Sequence, residues 1–582
     1  MSKLPRLDSP AGFWLFVLGA LALLGLNLDF ALWEPWEGKN AQTAVEMVQR
    51  GDLLTPFFRD DPRFSKPPLM YWLMAPAYAL FGLNELALRL PFVLIAVAGL
   101  GSFVYALRRL FGTSAAYLSA LVLLTSPMFF FLSRQLMVDV LLVSFLMAAS
   151  GLTALALFRD ERRTLHMALA YIAAAGAVLS KGPLAVFLIV GTLGLCAVGM
   201  LAAHPASLRT PIATAKDVVI DRLKLHWGLA LLLALTLPWY VYNALNYEIF
   251  LERLRFDYLD RIATPEDNHG GSPFYYIEAI SYGMFPWICL VPAAFVALGA
   301  RLKETWRTEP GPLLFLLAWV VVPFALFTAS ETKFTYYIAP ALPPLAALVG
   351  LLLQRYLEGR DRQIWIAGLS LVSLGLLVTP AWELVQDARE LVGTFTIKIS
   401  VSGPIDADPA VASPSNAILS VSMLFAVILL SAAMLRELRW RRPLVVGLAV
   451  VTLGSATYLA QGLIVALSPH KSQKYTTQYV LSQPDAQGPV CIAFPGAGVR
   501  QYLEWAAIES TTIFYANNDV LELTSVDEVA QYFIENPDAY CVLRTRFVGA
   551  VRAELRAEAY MGLQVVEDSH YRFHVVRATP LP

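Results

Sequence analysis

Charged residues are scarce in this chain of 582 residues. Asp, Glu, Lys and Arg make up 15% of it, whereas 57% of the residues are hydrophobic. A soluble domain carries roughly 25% charged residues, so this chain has too few charges to cover a soluble surface of its size. Lysine and arginine number 44 against 45 aspartates and glutamates, which leaves no global basic field for nucleic acid. The composition therefore predicts an integral membrane protein covered largely by lipid, with no nucleic-acid partner.

Cysteine is also rare, and the spacing of the four cysteines indicates no zinc site. None forms a CxxC pair or a cysteine–histidine pattern typical of zinc ligands. Cys196 and Cys289 lie in apolar runs, which predicts buried thiols. Cys491 and Cys541 lie in a polar C-terminal region. They are predicted to be two separate strand cysteines, with a disulfide between them as the alternative.

Long apolar stretches recur from the N-terminus to about residue 467, each with about the 20 residues that cross a bilayer. Hydropathy predicts about thirteen transmembrane helices. They lie at roughly 12–32, 86–106, 114–132, 139–158, 165–180, 184–203, 227–246, 280–300, 312–329, 336–356, 364–382, 416–435 and 443–467. The fold class is therefore a polytopic α-helical membrane protein.

Short loops rich in lysine and arginine follow alternate predicted spans, for example at Arg108, Arg109 and Arg159. Because such loops remain on the cytoplasmic side, the N-terminus is predicted inside and the C-terminus outside. The first span has basic flanks but no small-residue cleavage site, which predicts a retained anchor. Three long loops then face outward, at about 33–85, 247–279 and 383–415. The first of them contains two predicted interfacial helices, Trp36–Arg50 and Lys66–Leu83.

Beyond about residue 467 the pattern changes from apolar spans to short alternating strands and helices. Strand-like runs occur at Pro489–Phe494, Thr511–Ala516, Tyr540–Arg544 and Tyr571–Val576. Ser525 and Glu528 have the spacing of a capping box at a helix N-terminus. The sequence therefore predicts two domains, a transmembrane domain over 1–467 and a small periplasmic α/β domain over 468–582.

Charged and polar residues at the outward ends of the predicted spans form six clusters. The clusters contain Glu34, Glu37 and Lys39; Lys66; Arg134 and Asp139; Lys181; Arg253, Arg255, Asp257, Arg261 and His269; and Glu331, Lys333, Tyr336 and Tyr337. Each residue alone fits a structural role, because lysine and arginine snorkel and acids cap helices. Six clusters on one face favour a shared polar cavity instead. Cations suit a phosphate, and carboxylates suit a general base or an oxocarbenium-like centre.

In their order and spacing these clusters resemble the motifs of the GT-C glycosyltransferases related to aminoarabinose transferase and protein O-mannosyltransferase. The matching segments are WEPWEGKNAQ, FSKPP, Asp139, SKGP, LPWY, FDYLDRI followed by His269, and TKFTYY. The resemblance runs through the whole membrane region and extends to the domain plan. It implies a GT-C fold and an enzyme that takes its sugar from a polyprenyl-phosphate donor.

The resemblance also implies roles for individual residues. Lys39, Lys66, Lys333 and Tyr337 would hold the donor phosphate. The substrate cavity would contain Arg134, Lys181, Asp257, Arg261 and His269. No cofactor follows from the motifs, although a divalent metal stays open, and no residue is assigned as a metal ligand.

One position departs from the family pattern where catalysis is concerned. The family's catalytic aspartate aligns with Trp36, whereas the next position keeps an acid, Glu37. The catalytic carboxylate is then Glu37, its neighbour Glu34, or Asp139. Alternatively no base is needed, because an acceptor phosphate is already ionised. Glu37 rather than Trp36 is predicted to face the cavity, since an unpaired carboxylate is costly to bury.

The predicted activity is transfer of a sugar from the polyprenyl-phosphate carrier on the periplasmic side of a bacterial inner membrane. The acceptor is a lipid A-like glycolipid, a cell-wall glycan or a protein, and membrane lipids surround the enzyme. Two alternatives remain, a transporter or flippase of a lipid-linked sugar and a catalytically inactive family member. Transporters typically have repeated halves, and the sequence has no such internal repeat.

Overall fold

The computed structural model describes most of the chain. The described residues are 8–34, 36–159, 162–204, 216–260, 272, 274–360, 428, 438–484, 488–493, 510–559, 561–568 and 573–580. Within them the protein consists of a large bundle of α-helices followed by a small domain built on a five-stranded sheet.

The bundle contains most of the helices. They are α1 (Pro10–Leu24), α2 (Trp36–Arg50), α3 (Leu69–Phe81), α4 (Glu85–Phe111), α5 (Thr113–Leu124), α6 (Pro127–Leu132), α7 (Val138–Phe158), α8 (Arg163–Lys181), α9 (Leu184–Ala203), α10 (Leu225–Asn246), α11 (Ile249–Arg255), α12 (Tyr275–Gly283), α13 (Val291–Thr305), α14 (Gly311–Ala329), α15 (Leu342–Glu358), α16 (Leu438–Tyr458) and α17 (Ile464–Lys471). Short π or 3-10 segments occupy Asp217–Arg222, Phe256–Asp260, Trp287–Leu290, Thr335–Ala341 and Leu459–Leu463. A hairpin between α2 and α3 pairs β1 (Phe57–Phe58) with β2 (Asp61–Pro62).

Eight helical segments of the described part are long and apolar enough to cross a membrane. They are Glu85–Phe111, Val138–Phe158, Arg163–Lys181, Leu184–Ala203, Leu225–Asn246, Gly311–Ala329, Thr335–Glu358 and Arg439–Leu463. A pair bent by 114°, Tyr275–Gly283 with Trp287–Thr305, makes a ninth if it counts as one span. The protein is therefore a multi-pass membrane protein. The predicted span 364–382 lies outside the described residues, as does almost all of 416–435, so the total of about thirteen stays a prediction.

Two features of the long loop after α1 follow the sequence closely. The predicted helix Trp36–Arg50 is α2, with the same bounds. The second predicted helix begins at Leu69 rather than Lys66, immediately after Pro67 and Pro68. Proline has no backbone N–H and fits the start of a helix better than its interior, which explains the later start.

The basic loops of the sequence meet at one end of the bundle. Arg159 donates to the backbone carbonyl of Arg109, with Nε and O 3.2 Å apart, and forms an ion pair with Glu309. Arg108 donates to the carbonyl of Asp8 at 2.9 Å. These contacts join loops that the positive-inside rule predicts to lie on the same side of the membrane.

The C-terminal domain is an α/β domain, as predicted. Its strands are β3 (Val490–Ala493), β4 (Val520–Leu523), β5 (Tyr540–Arg544), β6 (Met561–Glu567) and β7 (Phe573–Pro580), and its helices are α18 (Lys474–Ser482), α19 (Ser510–Tyr515), α20 (Val526–Glu535) and α21 (Val548–Ala559). The strand order is β4-β3-β5-β7-β6; β3 runs parallel to both neighbours, and β7 runs antiparallel to both of its own.

The predicted capping box begins α20. The Ser525 side chain accepts from the Glu528 backbone N–H at 3.0 Å, and the Glu528 carboxylate accepts from the Ser525 backbone N–H at 3.3 Å. A third hydrogen bond, from the Thr524 backbone N–H, is the main reason that the pKa of the Glu528 carboxyl is lowered. Reciprocal capping bonds form between residues close in sequence, which explains why this helix start is predictable from the sequence alone.

The predicted strand Thr511–Ala516 is wrong, because all of these residues but Ala516 lie in helix α19. Short apolar runs do not reveal by their periodicity whether they are strand or helix. Here tertiary contacts decide the outcome, since Ser510 and Thr511 bond to Glu34 of the membrane domain.

The prediction that Cys491 and Cys541 remain separate is also wrong. They form a disulfide between neighbouring strands β3 and β5, where the two residues are directly paired in register. Their Cα atoms are 4.6 Å apart, within the range that a disulfide spans. Cys196 and Cys289 are free and buried, as predicted.

Candidate active site

A cavity opens where segments that are distant in sequence meet. It is lined by Trp36, Asn40, Arg63, Lys66, Met137, Val138, Asp139, Lys181, Phe334, Tyr336 and Tyr337. These residues come from the start of α2, the turn before α3, the start of α7, the end of α8 and the 3-10 segment that precedes α15. The lining combines three cations, one carboxylate and an aromatic wall, so it can contact a phosphate and a sugar ring together.

The charged centre of the cavity is an ion pair between Asp139 and Lys181. Asp139 lies in the first turn of α7 and Lys181 in the last turn of α8, positions where the helix dipoles favour an acid and a base respectively. The Lys181 ammonium also lies 4.3 Å from the ring centroid of Tyr337 and 5.7 Å from that of Tyr336. Lys181 is thereby fixed between a carboxylate and two π faces.

A second cationic wall comes from the turn before α3. Lys66 Nζ donates to the carbonyl of Ser65 at 2.9 Å. Arg63 donates through Nη1 to the carbonyl of Lys39 at 3.2 Å and to Thr43 Oγ1 at 3.0 Å. The bonds of Arg63 attach the turn to α2, which places both cations at the cavity.

The expectation that Glu37 rather than Trp36 faces the cavity is wrong. Trp36 lines the cavity, whereas the Glu37 side chain is buried against Arg89, with Oε1 2.9 Å from Nε and Oε2 2.7 Å from Nη2. Glu37 also accepts from the backbone N–H groups of Trp33 and Leu136 at 2.8 and 2.9 Å. A carboxylate with both oxygens engaged in this way is a structural anchor.

Glu34, another predicted catalytic residue, attaches the C-terminal domain to the membrane domain. Its carboxylate accepts from Ser510 Oγ at 2.7 Å and from the Thr511 backbone N–H at 2.6 Å. The helices α2 and α19 approach so closely that a Cβ at Gly38 would lie 2.6 Å from the Thr511 nitrogen. Only glycine fits there, so the contact depends on that position.

Three predicted cations do not line the cavity. Lys39 has its Nζ 5.1 Å from the ring centroid of Phe58. Lys333 is buried and donates to the carbonyl of Ser330, although the next residue along the chain lines the cavity. Arg134 is fully buried and donates to the backbone carbonyls of Leu26 and Asn27. Lys333 and Arg134 thus bind backbone carbonyls of nearby loops.

The loop after α10, which the sequence predicts to face outward, is described only in part. Asp257 is buried and lies 3.7 Å from Arg253 Nε, and it is not among the residues that line the cavity. Arg261 and His269 lie outside the described residues, so their predicted places stay predictions. Of the predicted site residues, the structure thus brings together Lys66, Asp139, Lys181 and Tyr337.

Sequence reasoning missed two arginines. Arg63 immediately precedes the FSKPP segment, and its place beside that motif was the available signal. Arg89 lies inside the first long span α4 and is fully buried. An ionisable residue within a membrane helix indicates a specific partner, and that signal was available in the sequence.

No group of three or more His, Cys, Asp or Glu side chains suited to a metal ion occurs within the described ranges. The carboxylate that lines the cavity in the described part, Asp139, is paired with Lys181.

Comparisons with known proteins agree with this architecture. Residues 65–242 match the family described as dolichyl-phosphate-mannose-protein mannosyltransferase. The undecaprenyl phosphate-alpha-4-amino-4-deoxy-L-arabinose arabinosyl transferase of Edwardsiella ictaluri is 27% identical over 534 residues, covering 87% of this chain and 84% of that protein. The corresponding enzyme of Shewanella sediminis is 27% identical over 376 residues; the match covers 62% of this chain and spans 64% of that enzyme's length.

Two crystal structures of ArnT from Cupriavidus metallidurans have the same fold. The apo structure has a TM-score of 0.71 and 22% identity, and the alignment covers 98% of both chains. The structure bound to undecaprenyl phosphate has a TM-score of 0.70, 21% identity and the same coverage. The resemblance inferred from the sequence is therefore confirmed: in its sequence and in its GT-C fold, this chain is similar to the aminoarabinose transferases.

Proposed function

We propose that the protein is a glycosyltransferase that moves a sugar from a polyprenyl-phosphate donor to an acceptor. The observation that carries the proposal is the cavity itself, in which Lys66, Lys181, Asp139 and Tyr337 converge from distant parts of the chain. Relatives of this chain are named for transfer from undecaprenyl phosphate. A lipid donor also agrees with a cavity that belongs to a bundle of apolar helices.

In this mechanism the acceptor oxygen attacks the anomeric carbon while the bond from that carbon to the phosphate oxygen breaks. The phosphate leaves with the bonding electrons, and the positive charge of Lys66 and Arg63 stabilises it. Among the described residues, Asp139 is the carboxylate that lines the cavity. It takes the proton of a hydroxyl acceptor, or it stabilises the oxocarbenium-like transition state.

The acceptor stays one of three classes, a lipid A-like glycolipid, a cell-wall glycan or a protein. The test of the function is to incubate purified protein with polyprenyl-phosphate sugars and an extract that contains these acceptors. Release of free polyprenyl phosphate together with a glycosylated product is the expected result. Transport of an intact donor across vesicles, with no release, would contradict transfer and favour a flippase.

We also propose that the cavity and the C-terminal domain, residues 468–582, lie on the periplasmic side of a bacterial inner membrane. The contacts of Glu34 put this domain at the cavity end of the bundle, away from the basic loops around Arg159. Cytoplasmic loops carry the excess of lysine and arginine. The disulfide between Cys491 and Cys541 suits an oxidising compartment.

A reporter fused after residue 582 tests this orientation. Alkaline phosphatase fused there is expected to be active, because it requires export to form its own disulfides. The matched control places the same reporter in the basic loop after Arg159, where it is expected to be inactive. The reverse pattern would show the opposite orientation in the membrane and would contradict a periplasmic site.

Replacing Lys66 with alanine is expected to weaken donor binding by roughly 10- to 100-fold, because a hydrogen bond to a charged group contributes about 1.5–3 kcal/mol. The measurement is the dissociation constant of polyprenyl phosphate in detergent or nanodiscs. Lys303→Ala, at the far end of α13, is the matched control and should bind like the parent protein. Unchanged affinity in Lys66→Ala would exclude this lysine from the phosphate site.

A further inference from the structure

Helix α2 lies between the cavity and the C-terminal domain. Successive residues of an α-helix are rotated by roughly 100°, so positions two residues apart lie on nearly opposite faces. Trp36 and Asn40, four residues apart, share one face of α2 and line the cavity. Gly38, midway between them, faces helix α19 of the C-terminal domain. One face of α2 therefore belongs to the site, and the opposite face contacts the other domain.

The contact between α2 and α19 involves the backbone as well as side chains. A Cβ at Gly38 would lie 2.6 Å from the Thr511 nitrogen and 2.7 Å from the Ser510 carbonyl carbon. The two backbones therefore touch at this point. The Glu34 carboxylate, just before α2, accepts from Ser510 Oγ at 2.7 Å and from the Thr511 backbone N–H at 2.6 Å. The start of α2 is thus attached to the start of α19.

Helix α19 is itself fixed to the membrane domain at its other end. Tyr515 Oη donates to Oε1 of Glu85, in the first turn of α4, and accepts from the backbone N–H of Leu32, both at 2.9 Å. Phe514 is fully buried and packs within the hydrophobic core of the helical bundle. A second carboxylate of the membrane domain therefore holds the end of α19, as Glu34 holds its beginning.

The position of α2 matters for the reaction because its cavity side also supports a neighbouring part of the site. The Lys39 carbonyl and Thr43 Oγ1 accept from Arg63, which lines the cavity. Misplacement of reacting groups by about 1 Å can cost roughly 10²-fold in rate. The attraction between a cation and a phosphate varies only as the inverse of their distance. A small displacement of α2 should therefore slow transfer much more than it weakens donor binding.

We infer that Glu34 is a positioning residue for the transfer reaction. It holds α2 against α19, and the C-terminal domain thereby keeps Trp36 and Asn40 in place at the cavity. The inference rests on the proposed function. It gives the C-terminal domain a part in the reaction, although none of the described residues of that domain lines the cavity.

Gly38→Ala tests the contact without a change in any group that lines the cavity. Alanine favours a helix more than glycine does, so the helical conformation of α2 should not suffer, but the added methyl group would displace α2 from α19. The turnover rate is expected to fall about 10- to 100-fold, while the dissociation constant of polyprenyl phosphate changes less than about threefold. Gly549→Ala in α21, where a Cβ would have no atom within 4 Å, is the matched control and should behave like the parent protein.

Variants of Glu34 separate positioning from direct participation in the chemistry. Glu34→Ala removes both hydrogen-bond acceptors and is expected to show the same loss of turnover as Gly38→Ala. Glu34→Gln keeps an oxygen for the Thr511 N–H and gains an amide that can donate to Ser510 Oγ, so it should retain most of the turnover. Tyr515→Phe removes only the hydroxyl contacts at the other end of α19 and should show a smaller loss of the same kind.

All rates are measured per folded protein, with the melting temperature of each variant recorded. Parental turnover in both Gly38→Ala and Glu34→Ala would overturn the inference. An equal loss in Glu34→Gln and Glu34→Ala would also overturn it, because the carboxylate itself would then take part in the reaction. If the parent protein releases no polyprenyl phosphate from a donor in the presence of acceptors, the proposed function fails, and the inference fails with it.

Discussion

Replacing Asp139 with asparagine is expected to lower the rate of sugar transfer to a hydroxyl acceptor by about 10²- to 10⁴-fold, the usual contribution of a general base. Asp139 is the carboxylate that lines the cavity among the described residues, and it is 2% exposed. Asparagine keeps its shape but accepts no proton and carries no charge. The measurement is the rate of polyprenyl-phosphate release per folded protein, and Asp527→Asn on the exposed face of α20 serves as the matched control.

The partner of Asp139 makes a second variant necessary. Asparagine leaves the buried ammonium of Lys181 without its counter-charge, so the single variant also loses stability. In the double variant Asp139→Asn with Lys181→Met, the buried charge is gone and stability should recover. If transfer recovers with it, Asp139 only neutralises Lys181. If the melting temperature recovers and transfer does not, while Lys181→Met alone retains transfer, the carboxylate acts in the reaction. Near-parental transfer by Asp139→Asn alone would exclude it from catalysis.

The size of the rate loss in Asp139→Asn depends on the class of acceptor. A phosphate acceptor is already ionised at neutral pH and needs no proton removed, so the loss in Asp139→Asn would be much smaller. The same pair of variants measured on a hydroxyl acceptor and on a phosphate acceptor therefore separates proton transfer from electrostatic stabilisation of the sugar.

Hydropathy predicts the positions of the membrane helices well, because each helix that crosses lipid needs a long apolar stretch. A span must bury about 20 apolar residues, and the helices α7 and α9 have nearly the bounds that the sequence indicates. The span predicted at 114–132 is instead divided into α5 and α6, because Pro127 begins a new helix. A mean over a window does not detect such a break.

The site was harder to predict, since motifs do not tell which side of a helix a residue occupies. Trp36 and Glu37 are adjacent in α2, yet Trp36 lines the cavity and Glu37 bonds to Arg89. The direction of the Glu37 side chain therefore depends on a partner 52 residues away in the sequence. Similarly, the role of Glu34 became apparent only with the position of Thr511, which belongs to the other domain.

The buried pair of Arg89 and Glu37 is expected to matter most for folding. Arg89→Met removes the counter-charge of a buried carboxylate and should lower the free energy of unfolding by roughly 3–5 kcal/mol. Arg89 also donates to the carbonyls of Leu28 and Ala31, at 2.9 and 3.1 Å. The loop between α1 and α2 would therefore lose its support. Denaturant titration in mixed micelles measures the change, with Arg442→Met at the exposed start of α16 as the control.

The double variant Arg89→Met with Glu37→Gln distinguishes an unpaired charge from lost packing. Glutamine needs no counter-charge and still accepts hydrogen bonds from the backbone N–H groups of Trp33 and Leu136. The double variant should therefore be more stable than Arg89→Met, because a buried ion pair adds little net stability but removal of one partner is costly. The stability of Arg89→Lys should lie between those of the parent protein and Arg89→Met, since lysine lacks the planar fork that contacts both oxygens of Glu37. Parental stability of Arg89→Met would show that the loop is held by other contacts.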